Sequence, residues 1–183
     1  DRVGTYWHMA PTHRQVRKIV WDGIDREGRR VIDQAFPPEV RVRKNDQEMK
    51  IELVNGSIWQ CVGSDNYDSL VGANPIGVVF SEWSLADPTA WDYVRPILAE
   101  NDGWALFIYT PRGKNHGLTL LDTARSEPGW FAQVLTVADT KAVSEEIIEQ
   151  ERREIFDRCW LYIAHESELP KPNDFVARSV GGR

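Results

Sequence analysis

Cysteine is scarce in this sequence, with Cys61 and Cys159 the only two among 183 residues. Two cysteines so far apart form neither a disulfide framework nor a metal cluster, and they make a reducing cytosol the expected compartment. The four histidines show no metal-ligand spacing with the cysteines or with one another. The sequence therefore predicts a protein without bound iron or zinc.

Long apolar runs are scarce as well, and the first residues do not predict a signal peptide. No stretch approaches the roughly 20 apolar residues of a membrane span. Residues 1–4 lack the charged and apolar regions of a signal peptide. Position 1 is Asp rather than an initiator Met, so we expect the chain to be cut from a longer protein without membrane contact.

Positive charge is also in deficit. The formal net charge of −6 argues against a broad nucleic-acid surface, because phosphate binding depends on Lys and Arg. The remaining composition, with 42% hydrophobic and 27% charged residues, is typical of a soluble globular protein. A chain of this length can bury the core of one domain.

Two short apolar runs, residues 76–80 and 105–109, are the centre of the sequence. Each is unbroken, as in strands of a parallel sheet that are covered on both faces. The first ends at Ser81-Glu82, and the second at Thr110-Pro111-Arg112-Gly113. In open α/β sheets, ligands bind beyond the carboxyl ends of such strands. We therefore expect the two strands to be parallel, with Glu82 and Thr110 at one edge of the sheet.

The remaining elements also follow from local patterns. Residues 5–9 are β-prone, and Thr12 and Gln15 fit a capping box before a helix with an apolar stripe. Asn55-Gly56 predicts a hairpin between residues 49–54 and 57–62. The stripe consists of Val16, Ile19, Val20 and Ile24.

Further helices and one more strand are predicted beyond Glu82. Asp87-Pro88 begins a helix that Pro96 should kink or shorten. A second helix covers residues 118–124, a strand covers residues 130–137, and Ser144 caps a charged helix that extends to Phe156. Asp65 and Asp68 are interpreted as Asx-turn residues, and His8 and His13 as packing or surface residues.

Several of these motifs, in this order, resemble the ATPase domain of phage terminase large subunits. The matching stretches are Tyr6-Trp7, residues 11–15, residues 63–65, residues 78–82, residues 110–113 and Trp130-Phe131. The resemblance implies a three-layer α/β sheet of the P-loop NTPase type, with helices on both faces, incomplete at its N-terminus and carrying a β-hairpin insertion. It also implies an ATP hydrolase that couples turnover to translocation of double-stranded DNA into a procapsid.

The resemblance assigns roles to four residues. Residues 78–82 would be the Walker B strand, in which Glu82 polarises the attacking water. Ser81 replaces the usual Asp, so it would hold Mg²⁺ only weakly, through the water shell of the ion. Thr110 and Arg112 match the coupling motif that senses the γ-phosphate. Implied cofactors are ATP and Mg²⁺. Implied partners are duplex DNA, a portal protein and a small terminase subunit in an oligomeric motor within the bacterial host cytoplasm.

One required part of an ATPase is not in the sequence. No Gly-x-x-x-x-Gly-Lys-Ser/Thr segment, the Walker A phosphate cradle, occurs among the 183 residues, and the family would place it before residue 1. We therefore expect this chain alone to bind ATP weakly and to hydrolyse it near background. The alternative is a non-catalytic α/β remnant or binding module, in which Thr110–Gly113 is a plain turn and Glu82 a surface carboxylate.

The end of the chain departs from terminases. Residues 153–183 resemble the leader of Rieske ring-hydroxylating dioxygenase α subunits, but they lack the Cys and His pairs that hold the iron–sulfur cluster. We therefore infer no iron chemistry; the tail is either a natural fusion or a coincidence of helix-then-strand patterning. An oxygenase fragment is a third interpretation of the chain that depends on this tail alone. The predicted division is a partial terminase ATPase domain at residues 1–150 and a tail at residues 151–183.

Overall fold

The computed structural model describes residues 2–70, 72–151 and 153–154, and the chain divides into two compact units at residues 131 and 132. The predicted boundary near residue 150 separates two segments by their family resemblance and not by their compactness. It stays a prediction. Residues 155–183, which include nearly all of the dioxygenase-like tail, lie outside the described residues. No described helix is long and apolar enough to cross a membrane.

The first unit is built on one mixed sheet of six strands in the order β2-β3-β4-β1-β5-β6. The strands are β1 (Thr5–Ala10), β2 (Arg41–Asn45), β3 (Lys50–Leu53), β4 (Ile58–Gly63), β5 (Pro75–Ser81) and β6 (Trp104–Ile108). Strands β4, β1, β5 and β6 are parallel, whereas β2 and β3 are antiparallel at one edge. The α/β class and the parallel pairing of the two central runs are confirmed.

Short helices connect these strands. They are α1 (His13–Val16), a π-helix (Arg17–Trp21), α2 (Val31–Ala35), α3 (Thr89–Glu100) and α4 (His116–Ser126), with 3₁₀ turns at Pro38–Val40, Ser64–Leu70 and Trp83–Leu85. The second unit contains α5 (Val137–Thr140) and α6 (Glu145–Glu151). Thr12 caps α1 by accepting the Gln15 amide, as predicted. Helix α3 continues through Pro96 to Glu100, so of the two predicted effects of Pro96 the shortening does not occur.

Apolar side chains are buried on both faces of the sheet. On one face, Trp7, Met9, Val78 and Phe80 pack with Ala90, Val94 and Leu98 of α3. On the other, Ile51 and Cys61 pack with Val16 and Trp21 of the α1 and π-helix segment. Neighbours along a strand point to opposite faces. Because α3 packs on one face and the α1 and π-helix segment on the other, helices cover part of each face.

The predicted stripe on the first helical segment is only partly correct. Val16 is buried, but Ile19 and Ile24 are 60% and 65% exposed, and Trp21 is buried instead. The Asp22 amide donates to the Arg17 carbonyl at 2.8 Å, a five-residue step that marks the π-helix. The wider turn brings residues five apart onto one side, so Trp21 follows Val16 into the core, while Val20 is partly buried against the same cluster.

Strand β6 differs from the prediction of a strand covered on both faces. Its side chains alternate, and Trp104, Leu106 and Ile108 are 50%, 48% and 53% exposed. In the part of the chain that is described, no strand pairs with the outer edge of β6. The α1 and π-helix segment packs against β1 and β4, which leaves this face of β6 open.

Two other expectations need correction. The predicted hairpin is present, but it is part of the main sheet rather than an insertion, since β4 pairs in parallel with β1. Residues 130–137 form no strand; Thr136 instead caps α5. Phe131 and Leu135 are 84% and 58% exposed, so β propensity without a neighbouring strand does not produce one.

Candidate nucleotide site at the carboxyl ends of the strands

The turn after β5 carries the predicted carboxylate. Ser81 is the last residue of β5, opposite Ile108 of β6, and Glu82 follows it with φ of 54°, in the left-handed region. The Glu82 side chain is partly buried and makes no hydrogen bond or ion pair to any other described residue. Among the described residues, Glu82 is thus a carboxylate without a side-chain partner, just beyond the carboxyl end of β5.

Ser81 has a partner that the sequence did not indicate. The Ser81 Oγ lies 2.7 Å from Nε2 of His8, which is near the end of β1. Burial lowers the pKa of His8 below its ordinary value and so favours the neutral imidazole. Side chains alternate between the two faces along β1, and Trp7 and Met9 face the core. The sequence pattern alone could therefore have predicted that His8 lies on the other face. Its closeness to Ser81 depends on the parallel register of β1 and β5.

The predicted coupling residues lie at the same edge. Thr110 and Arg112 are exposed and, within the described ranges, their side chains make no hydrogen bond or ion pair. The Thr110 carbonyl accepts a hydrogen bond from Ser84 Oγ at 2.8 Å, so the turns after β5 and β6 are directly linked. The expected closeness of the two strand ends is confirmed, whereas the roles of these residues remain predictions.

Asn115 and His116, at the start of α4, make two further links between these turns. Asn115 Nδ2 donates to the Ser84 carbonyl at 3.0 Å. His116 Nε2 lies 2.6 Å from the Trp83 carbonyl and must donate to it, since a carbonyl oxygen only accepts. Sequence reasoning assigned no role to either residue.

A second polar region follows β4. Ser64 is fully buried; its Oγ donates to the Pro11 carbonyl and accepts the Asp87 amide, which joins the ends of β1 and β4 to the start of α3. Asp65 accepts the His13 amide at 3.1 Å, so it bridges two loops in addition to any local Asx interaction. An open pocket of about 480 Å³ lies here. Cys61 lines it, and burial raises the pKa of this thiol to about 12, which makes it a poor nucleophile.

The side chains predicted to hold a metal ion at the β5–β6 edge offer oxygen ligands. Among the described residues, no group of three or more His, Cys, Asp and Glu is arranged to hold a metal ion. Glu82, Ser81 and Thr110 offer one carboxylate and two hydroxyls. Mg²⁺ keeps several waters and needs only one or two protein carboxylates beside nucleotide phosphates, so this donor set fits it.

Comparison with known proteins finds sequence similarity to phage terminases. No protein-family model matches the chain. It is 31% identical over 121 residues to the large terminase subunit of Escherichia phage T5, covering 62% of this chain and 27% of that protein. It is 27% identical over 123 residues to the large terminase subunit of Thermus phage G20c, covering 60% and 25%. The chain therefore spans about a quarter of the length of these terminases.

A shorter match is to a different class of protein, the subunits of oxygenases. The chain is 49% identical over 37 residues to the alpha subunit of N,N-dimethyl phenylurea N-demethylase from Sphingobium sp. strain YBL2, covering 20% of this chain and 8% of that protein. Short similarity to oxygenase alpha subunits is thus confirmed.

Solved structures share the fold. A point mutant of the ATPase domain of the Thermus phage P74-26 large terminase superposes with a TM-score of 0.62 at 21% identity, covering 84% of this chain and 72% of that one. The large terminase of a thermophilic bacteriophage in complex with ADP gives 0.64 at 14% identity, covering 84% and 37%. Over 121 residues, therefore, this chain is similar in sequence to a phage large terminase subunit, and it shares the fold of a large terminase ATPase domain.

Proposed function

We propose that the chain is the Walker B and coupling part of a terminase motor, which hydrolyses ATP to move double-stranded DNA into a procapsid. The supporting observation is the free carboxylate of Glu82 at the same sheet edge as Thr110, on adjacent parallel strands whose following turns are hydrogen-bonded. Phosphoryl transfer to water depends on such positioning more than on covalent chemistry.

Each residue has a distinct task in this proposal. Glu82 accepts a hydrogen bond from the attacking water and orients it toward the γ-phosphate. Thr110 and Arg112, which are exposed and follow the end of β6, contact the γ-phosphate oxygens. Ser81 and Glu82 would hold a hydrated Mg²⁺, which when bound neutralises charge on the phosphate oxygens.

The proposed fold is the three-layer P-loop NTPase type, and the sheet offers a place for a phosphate-binding strand. Such a strand must end beside Glu82 and Thr110 to bring its loop to the same nucleotide. The outer edge of β6 meets this requirement and carries an exposed apolar face at Trp104, Leu106 and Ile108 that a helix could cover. The edge at β2 is separated from β5 by three strands.

The partners and location follow from the family. We propose duplex DNA, a portal protein and a small terminase subunit as partners of an oligomeric motor in the host cytoplasm. The net charge of −6 suggests that strong DNA contacts lie outside these 183 residues.

A non-catalytic module is the second candidate. It is favoured by one observation, the neutral Ser81 at the position where the family has an acidic metal ligand. A hydroxyl already engaged by His8 attracts Mg²⁺ less than a carboxylate does. Such a module would keep the sheet and lack turnover under all conditions.

An ATPase assay on three polypeptides separates the candidates. The 183-residue chain should show background turnover because it contains no phosphate cradle. The same chain extended with a Walker A strand and helix should hydrolyse ATP, and Glu82→Gln in the extended chain should lower kcat by about 100-fold or more. Glu100→Gln, on an exposed residue at the end of α3, is the matched control and should leave kcat unchanged.

Two results would contradict the proposal. Turnover by the unextended chain would refute the need for the cradle. An extended chain that hydrolyses ATP equally well with Glu82→Gln would refute the assignment of the catalytic carboxylate.

A further inference from the structure

The backbone of Glu82 is held in a costly conformation. A φ of 54° is unusual for a residue other than Gly, Asn or Asp, because Cβ approaches the neighbouring carbonyl. No side chain caps the 3₁₀ turn that begins at Trp83. Backbone strain of this kind persists only where the surroundings over-determine it. The residues that impose the conformation should therefore lie near Trp83 and Ser84.

Those surroundings come from the start of α4. The Trp83 and Ser84 carbonyls accept hydrogen bonds from His116 Nε2 and Asn115 Nδ2 at 2.6 Å and 3.0 Å. The His116 ring also packs edge-on against the Trp83 indole, with centroids 5.0 Å apart. Trp83 and Ser84 are only 2% and 5% exposed, so the turn is fixed immediately after Glu82. We call these two side-chain hydrogen bonds the 115–116 clamp.

Asn115 makes the clamp rigid because it serves two elements. Its Oδ1 accepts the Gly117 amide at 3.0 Å and so caps α4, while its Nδ2 holds Ser84. The Gly117 carbonyl in turn accepts the Tyr109 hydroxyl at 2.7 Å, which anchors the start of α4 to the end of β6. The first residues of α4 thus fix the position of the turn after β5 relative to β6.

We propose that Asn115 and His116 are positioning residues for Glu82, which hold its backbone in the left-handed region so that its carboxylate stays at the β5–β6 edge. The catalytic consequence of this inference depends on the proposed role of Glu82. The claim that the clamp holds the backbone conformation of Glu82 does not. The clamp acts on the backbone and can be tested in the chain without nucleotide.

The test is a double-mutant cycle on stability. Asn115→Asp keeps the oxygen that caps α4 and removes the amide donor, and His116→Phe keeps an aromatic ring beside Trp83 and removes its donor. Together they open the clamp with little change in packing. Glu82→Gly is then introduced with the clamp closed and with it open.

With the clamp closed, Glu82→Gly should raise Tm by about 2–4 °C, since glycine adopts positive φ without strain. With the clamp open, residue 82 can relax and the rise should shrink to less than half. Asp102→Gly is the matched control, because Asp102 also has positive φ, at 48°, but lies outside the clamp. Its effect should be equal in both backgrounds. A Glu82→Gly effect that is equal in the two backgrounds, or that lowers Tm with the clamp closed, would overturn the proposal.

A second measurement tests the catalytic consequence in the Walker A-extended chain. Opening the clamp should lower kcat by about 10–100-fold with KM little changed, and His116→Gln, which keeps a donor, should restore part of kcat. A rise in KM at constant kcat would overturn the positioning role. If the extended chain has no turnover at all, the proposed ATPase function fails, and the stability cycle still decides whether the clamp holds Glu82.

Discussion

Gly63 shows how closely the loops approach each other at the candidate site. It ends β4, and a Cβ built on it would lie 2.3 Å from the His13 amide nitrogen and 2.2 Å from Asp65 Oδ1. The His13 amide also donates to Asp65, so the three residues form one contact between the start of α1 and the end of β4. At this position only glycine leaves room for the neighbouring backbone.

Replacing Gly63 by Ala should therefore destabilise the fold by about 3 kcal/mol, the upper range for overpacking, because backbone atoms cannot move aside as a side chain can. Urea unfolding of the 183-residue chain measures this. Gly77→Ala is the control: its neighbours at 2.6 Å and 2.8 Å are side-chain atoms of Trp104 and Tyr6. It should cost clearly less, and equal costs would show that the α1–β4 approach can relax.

At the scale of elements, α2 is tied to the basic edge strand by one carboxylate. Asp33 accepts hydrogen bonds from Lys44 at 2.8 Å and from Arg41 at 2.5 Å. The Lys44 hydrogen bond, followed by that of Arg41, holds the pKa of Asp33 below its ordinary value. The pKa of Asp33 is lower in the folded state than in the unfolded state, so its interactions with Lys44 and Arg41 stabilise the fold at pH values above the unfolded-state pKa. This stabilisation is lost as the pH falls through the folded-state pKa.

Asp33→Asn should accordingly lower Tm at pH 7 and have little effect at a pH below the folded-state pKa. The Asp33 side chain is 38% exposed, so solvent screening limits the effect at pH 7 to about 1 kcal/mol or less. Thermal unfolding between pH 7 and pH 2 measures it. In a Lys44→Gln background the effect at pH 7 should shrink. An Asp33→Asn effect independent of pH would mean that shape, not charge, ties α2 to β2.

Elements with a strong local pattern could be predicted from the sequence. β1, the β3–β4 hairpin, β5 and α3 follow from β propensity, a turn signal, an unbroken apolar run and an Asp-Pro start. The π-helix could not, because its phase depends on burying Trp21. The missing strand at residues 130–137 shows the same limit, since a strand needs a neighbour that the local sequence does not reveal.

The contacts around the candidate site could be predicted only in part, because several of them join distant parts of the chain. Ser81 ends β5, and Glu82, Thr110 and Arg112 follow strand ends, where ligands are expected. The two strand ends lie at one edge of the sheet because β5 and β6 are parallel. His8, Asn115 and His116 act through contacts made across the fold. Their partners lie between 31 and 73 residues away in sequence, beyond any local pattern.

At the scale of the whole molecule, the two edges of the sheet differ in their protection. Strand β2 carries Arg41, Arg43 and Lys44, and charged side chains of this kind prevent pairing with a second chain. Strand β6 carries no charge between Trp104 and Ile108 and exposes three large apolar side chains. The edge at β6 is therefore the one open to further pairing.

The 183-residue chain should self-associate through β6 as its concentration rises from the micromolar to the millimolar range. Leu106→Lys, in the middle of the exposed face, should reduce the apparent mass measured by sedimentation. Val42→Lys, at a residue 71% exposed on the charged edge, is the matched control and should not. Association that is insensitive to Leu106→Lys would assign the contact to another surface.

The left-handed backbone conformation of Glu82 also affects how position 82 is expected to evolve. At a φ of 54°, Gly or Asn is the residue that stability alone would select, so the catalytic role proposed for Glu82 gives a reason why Glu is kept there. In lineages released from catalysis, neutral substitution should replace this glutamate before it alters the surrounding core. The residue found at position 82 in naturally diverged copies of this chain thus records whether selection on the chemistry has continued.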